Sequence, residues 1–249
     1  MRIITFSRRG ILFSLVILLL VAFGTYYQSR NLTLPSLVKQ AGTYYMVHTQ
    51  EKVVALTFDD GPDPLYTGSL LDVLKEKNVK ATFFVLGENV EKNPVLFKRI
   101  SVEGHEIGNH GYSHSYTTSQ FIRELDRTDE VIYQVIQQHT TFYRPPGGII
   151  SKSLVEGVKD KGYILTLWSI DSNDWRNPGP TRIVRNVVKS SFPGAIILLH
   201  DGGEKREQTI NALTSIIDQL KQQGYRFVTV SELRSFESNT PVQILKPKE

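Results

Sequence analysis

Short, apolar, β-rich runs alternate with amphipathic segments from Lys52 almost to the end of the chain, and this alternation constrains the fold most. Val53–Phe58, Ala81–Val85, His105–Gly108, Phe142–Arg144, Tyr163–Ser169, Ala195–His200 and Arg226–Val230 read as strands. Helical spacing fills the gaps at Thr67–Asn78, Val90–Glu103, Ser119–Gln138, Ser151–Lys161, Thr181–Lys189 and Gln208–Gln222. On the first of these helices Leu70, Leu71 and Leu74 share one face. Strands separated by helices predict an α/β fold with a parallel sheet, because parallel neighbours need a crossover.

The unusual polar clusters each fall just after a strand: Asp59-Asp60, His110 to His114, Arg144-Pro-Pro, Asp171 to Trp175 and His200-Asp201. A (β/α) barrel builds its active site at that end of its strands. A doubly wound open sheet also binds ligands there, but usually carries a glycine-rich phosphate turn after its first strand. Here that turn is Asp59-Asp60-Gly61-Pro62, whose negative charge suits a cation rather than a phosphate. The expectation is a distorted (β/α) barrel of about seven parallel strands.

Charge excludes one class of partner. The chain of 249 residues has a formal net charge of +4. Its 51–235 body holds 22 Lys and Arg against 23 Asp and Glu, so it cannot supply the counterion release that drives nucleic-acid binding. No nucleic acid is expected. There is no cysteine, so any metal must be held by His and carboxylate.

The excess positive charge lies at the N-terminus. Residues 1–9, with Arg2, Arg8 and Arg9, form a basic flank before the apolar run at 10–27. That run approaches the length of a transmembrane helix, and the arginines place the flank in the cytoplasm and the body outside. The expectation is a single-pass signal-anchor in the cell membrane with the body extracellular. A cleaved signal peptide ending near Ala22-Phe23-Gly24 would make the protein secreted instead, and a buried core helix is the bland alternative. Residues 28–50 read as a stem, 51–235 as the folded domain that carries the polar clusters and 236–249 as a tail. The sequence leaves the oligomeric state open.

His110 and His114 are four residues apart, a spacing that lets two imidazoles face one ion such as zinc. With a carboxylate from Asp59-Asp60 they make a two-His, one-carboxylate site, the other aspartate being free to act as a base. Arg144-Pro145-Pro146-Gly147-Gly148 is rigid and then permissive, able to position an arginine and present backbone N–H groups. Asp171-Ser-Asn-Asp174-Trp175 offers two acids and an aromatic. His200 ends a strongly apolar strand, where packing alone does not explain it, and is a candidate general acid. His105 reads as structural; His48 and His139 receive no role.

Taken in order, Thr57-Phe-Asp-Asp-Gly-Pro62, His110-Gly-Tyr-Ser-His114, Arg144-Pro-Pro146, Asp171-Ser-Asn-Asp-Trp175 and Leu198-Leu-His200 resemble the motifs of the polysaccharide deacetylases, the NodB-homology carbohydrate esterases. The resemblance implies that Asp60, His110 and His114 bind a divalent metal, usually Zn2+, with Co2+ or another ion able to serve. It implies Asp59 as general base oriented by Arg144, and His200 as general acid held by Asp174. Pro146, Gly147, Trp175 and Leu198 would contact substrate. Trp175 and Leu198 would line the acetyl pocket, and a backbone N–H near Gly147 would help stabilise the oxyanion. Two departures stand out: Gly111 replaces a common Ser or Thr that could brace the loop, and Gly147 replaces a frequent Tyr that walls the groove.

The implied reaction removes N-acetyl groups from amino sugars of an extracellular polysaccharide, peptidoglycan first and chitin-like oligosaccharides second. The chemistry fits: an amide needs an activated water, carbonyl polarisation and an acid for the departing nitrogen. A barrel glycosidase using Asp59 and Asp174 as paired carboxylates is an alternative, and a non-catalytic wall-binding module on the same fold is another.

Overall fold

The structure is a computed structural model and describes residues 43–237. The flank and span expected over 1–27, and most of the stem and tail, lie outside the described residues. Among those described, no helix is long and apolar enough to cross a membrane.

Eight short strands, all paired in parallel, form the sheet: β1 (Val53–Asp59), β2 (Thr82–Val85), β3 (Glu106–Asn109), β4 (Phe142–Tyr143), β5 (Ile164–Leu165), β6 (Ile170–Asp171), β7 (Ala195–His200) and β8 (Arg226–Phe227). Their order is β5-β4-β3-β2-β1-β7-β6, with β8 paired to the start of β1. One expected strand differs. Tyr163–Ser169 is two strands, because Thr166–Ser169 leaves β5 at one end of the sheet and re-enters as β6 against β7 at the other.

The gap between those ends is bridged by a segment read from sequence as stem. Tyr44 N–H donates to Leu165 O at 2.8 Å and Leu167 N–H to Tyr44 O at 2.7 Å, while Val47 N–H reaches Gly194 O at 2.9 Å. Val47 is wholly buried. Residues 43–47 therefore belong to the body, a correction to the 28–50 boundary. The close approach dictates the residue opposite. A Cβ at Gly194 would lie 1.9 Å from Val47 O, and its φ of +86° also requires glycine.

The helices are α1 (Thr67–Glu76), α2 (Gly87–Lys92), α3 (Pro94–Val102), α4 (Thr118–Ile136), α5 (Lys152–Asp160), α6 (Pro180–Ser190), α7 (Glu207–Gln222) and α8 (Val230–Arg234). The helix expected at Val90–Glu103 is broken at Asn93, since Pro94 lacks the N–H to continue one helix but suits the first position of the next.

Strand periodicity sorts the core and aims the chemistry. Along β1, Val54, Leu56 and Phe58 join the cluster under the helices, whereas Val53 and Ala55 join the inner cluster with Phe84, Phe142 and Ile196. Asp59 continues the inner series by the period of two. Along β7, Ile197 and Leu199 face the helices, and Ile196, Leu198 and His200 occupy the inner positions.

Candidate active site

The inner side chains at the strand ends open into a cavity of about 830 Å³, lined among others by Asp59, Asp60, His110, His114, Gly147, Trp175, Leu198 and His200. Most residues singled out in the sequence thus meet in one place. Pro146 is buried in the turn that presents Gly147.

Asp59 is held from across the sheet interior. Arg144, wholly buried at the end of β4, donates to Asp59 Oδ1 at 2.7 Å, to Thr57 Oγ1 at 2.8 Å and to Leu167 O at 2.9 Å. Its guanidinium lies 4.0 Å over the Phe84 ring. Burial lowers the Arg144 pKa while the Asp59 carboxylate works in the opposite sense; arginine stays charged across the physiological range. A fixed cation thus orients the carboxylate proposed as base.

Beside it is a donor set. Asp60 Oδ1 lies 3.4 Å from His110 Nε2 and 3.3 Å from His114 Nε2, and is buried with no hydrogen-bond partner. His110 Nδ1 is 2.8 Å from Arg144 O. A carbonyl can only accept, so this nitrogen carries the proton and a neutral His110 turns its Nε2 lone pair toward Asp60. Two imidazole nitrogens and a buried carboxylate oxygen, mutually within 4.8 Å, form a fitting nest for a divalent cation.

Charge in the nest follows the same geometry. Burial opposes a charged His110, but the Asp59 and Asp60 carboxylates outweigh it and raise its pKa. Burial also opposes ionised Asp60, yet His110 beside it, with His200 and His114, would hold it down at about 2. His114 is lowered, chiefly by burial.

Another wall holds His200. Its Nδ1 is 2.8 Å from Asp174 Oδ1, and its backbone N–H donates to Asp174 Oδ2 at 2.9 Å. Thr209 and Ser172 hydroxyls also donate to Asp174, at 2.8 and 3.1 Å. Burial alone would keep His200 neutral, but Asp174 beside it, with Asp60 and Asp59, raises its pKa to about 9. Asp174 is completely buried and spent on this network. That corrects the paired-carboxylate glycosidase alternative, which needs Asp174 facing substrate. Asp171 caps its own turn by accepting from Asn173 N–H at 2.7 Å.

Sequence reading missed three side chains. Tyr116, 59% exposed, lines the cavity with its ring edge-on to His114 at 5.0 Å, and a Cβ at Gly147 would lie 3.1 Å from it. It therefore overhangs the position where Gly147 offers no wall. Trp168 lines the cavity and sits 5.6 Å from the Arg144 guanidinium. Glu124 of α4 bonds the loop between the two histidines. Each is brought in by tertiary structure; the only local signal was an aromatic two residues beyond His114. His105 is structural as expected: buried, with Nδ1 accepting from Ala81 N–H at 3.2 Å, and kept neutral by burial with a pKa of about 4.

Residues 46–165 match the family model for polysaccharide deacetylase. A peptidoglycan-N-acetylglucosamine deacetylase of Bacillus cereus is 45% identical over 196 residues, spanning 77% of this chain and 92% of the relative. The peptidoglycan-N-acetylmuramic acid deacetylase PdaA of Bacillus subtilis is 38% identical over 208 residues, 80% of this chain and 78% of PdaA. Among solved structures, the Bc1960 peptidoglycan N-acetylglucosamine deacetylase superposes with a TM-score of 0.76 at 39% identity, covering 82% of this chain and 97% of that one.

Proposed function

The chain belongs to the polysaccharide deacetylase family, and from that premise we propose that it hydrolyses N-acetyl groups on amino sugars of peptidoglycan. Chitin-like oligosaccharides are the second substrate class. The body works outside the cell, tethered by the apolar run at 10–27. The observation that carries the reading is the buried, unpartnered Asp60 Oδ1 facing the nitrogens of His110 and His114 in the cavity that also holds Asp59 and His200.

Asp60, His110 and His114 would hold the divalent ion, with Zn2+ the proposed occupant. When bound, it supplies Lewis-acid polarisation of the acetyl carbonyl and a lowered pKa for water. Asp59 accepts a proton from the water whose oxygen adds to the carbonyl carbon, and Arg144 keeps that carboxylate aimed. His200 Nε2 donates a proton to the amide nitrogen as the C–N bond breaks, releasing acetate and a free amine. Asp174 holds the imidazole and keeps it protonated. Leu198 and Trp175 give the acetyl methyl an apolar wall, and the Gly147 turn offers an N–H to the developing oxyanion.

Mass spectrometry of peptidoglycan and chitin fragments after incubation with the full-length chain tests this. The expected product has lost acetyl with its glycan chain length intact; shortened fragments with every acetyl retained would refute it.

A further inference from the structure

His114 leaves the sheet on a loop, Gly111 to Ser113, that has no regular structure of its own. Asn109 Oδ1 accepts from Gly111 N–H at 2.9 Å, and two helices hold the rest. From α2, Gly87 N–H donates to Gly111 O at 3.0 Å and Glu88 N–H to Tyr112 O at 3.1 Å, satisfying two loop carbonyls. From α4, Glu124 satisfies the opposite polarity. Its Oε2 accepts from Tyr112 N–H at 3.0 Å and Ser113 N–H at 3.1 Å, and its Oε1 accepts from the Ser113 hydroxyl at 2.5 Å.

The fit leaves no room for another brace. A Cβ at Gly111 would stand 3.3 Å from Glu124 Oε2, and Gly111 has a φ of +85° that side chains rarely adopt. His114 itself has a φ of +57°. For a residue with a Cβ that backbone is strained and persists only where its surroundings hold it. Hydrogen bonds to a charged acceptor are the stronger kind, and Glu124 makes three of them within two residues of His114.

We propose that Glu124 is a positioning residue whose carboxylate holds the 111–113 loop so that His114 completes the donor set with Asp60 and His110. The inference rests on the metal reading above. Its readout is metal affinity, so loss of deacetylation does not enter.

The test titrates the full-length, metal-free chain with Co2+, following visible absorption, alongside thermal unfolding of the same metal-free samples. Glu124→Ala should weaken Co2+ binding by about 10-fold, the lower end of what partners outside the ligand shell are worth. Glu124→Gln, whose amide oxygen still accepts the two N–H groups while its NH2 meets the Ser113 hydroxyl, should stay within about threefold. Glu130→Gln on the same helix, where among the described residues Glu130 accepts from Gln134 alone, should equal the parent. If Glu124→Ala does not fold, Glu124→Asp takes its place, its carboxylate one carbon short of the loop.

Affinity of the folded Ala or Asp variant within twofold of the parent overturns the proposal, as it reduces Glu124 to a structural residue. So does equal weakening by Gln and Ala, which would make bulk charge the cause. A parent that binds no Co2+ overturns both this inference and the metal reading beneath it.

Discussion

Replacing Asp174 with Asn should move the alkaline limb of the pH–rate profile and leave substrate contacts untouched. With His200 as the proposed proton donor, activity is present while it is protonated and is lost as pH rises through its pKa. That pKa is raised from the ordinary 6.5 to about 9, with burial acting against the charge and Asp174, 2.8 Å away, overcoming it. At about 1.4 kcal/mol per pKa unit, the net preference for imidazolium is roughly 3 kcal/mol. A bound divalent ion repels the imidazolium, so the parent limb falls between neutrality and about 9. Without the Asp174 charge, burial and the ion are opposed only by Asp60 and Asp59, and the pKa drops back toward the ordinary value of about 6.5. At pH 7.5 a pKa of about 6.5 leaves about a tenth of His200 protonated, so against a parent limb between neutrality and about 9 the rate falls roughly 3- to 10-fold from protonation alone. The assay is kcat/KM for a chitooligosaccharide between pH 5 and 10 (about half a unit per step), with circular dichroism verifying the fold. An Asp174→Asn protein that keeps the parent's alkaline limb would refute the assignment of His200.

Other outcomes follow from the same geometry. His110→Ala and His114→Ala should each lose metal and activity together, whereas Asp59→Asn should keep its metal while kcat falls about 10²–10⁴-fold; metal analysis of the purified proteins checks the division of the Asp pair. Tyr116→Ala should raise KM for oligosaccharides with a smaller change in kcat, and Tyr116→Phe should restore it, because the exposed ring offers an apolar face at the cavity wall. Gly194→Ala should destabilise the body by at least about 1–3 kcal/mol in denaturant titration, from the positive φ alone, since its Cβ also meets Val47 O. Protease added to intact cells should release the body; protection of Lys52 onward would contradict the proposed outward anchor.

What the sequence made legible was set by periodicity. A buried strand alternates its faces, so the residue two beyond an inner position at the strand end is aimed into the cavity, and this made Asp59 and His200 legible. Arg144 was legible as a strand-end residue, but its pairing with Asp59 crosses 85 positions and needed the fold. The strand read at Tyr163–Ser169 failed because a continuous apolar run cannot show where the chain leaves one edge and joins the other. Residues 43–47 carry no period, and their place comes from backbone hydrogen bonds to Leu165, Leu167 and Gly194, which any side chains permit. The break before Pro94 was visible as a residue type and was overridden by apolar spacing on both sides. Glu124 and Tyr116 resemble ordinary surface residues in sequence; only tertiary packing brings them to the histidine loop.

In the proposed reaction one cation-dependent cavity cleaves an amide on a glycan. The most direct measurement follows acetate and new free amine together as the full-length chain acts on peptidoglycan, first treated with a chelator and then resupplied with Zn2+. Equal amounts of both products, lost with the chelator and restored by the ion, are the predicted result. Acetate release indifferent to the chelator, or new reducing ends without acetate, would contradict the account.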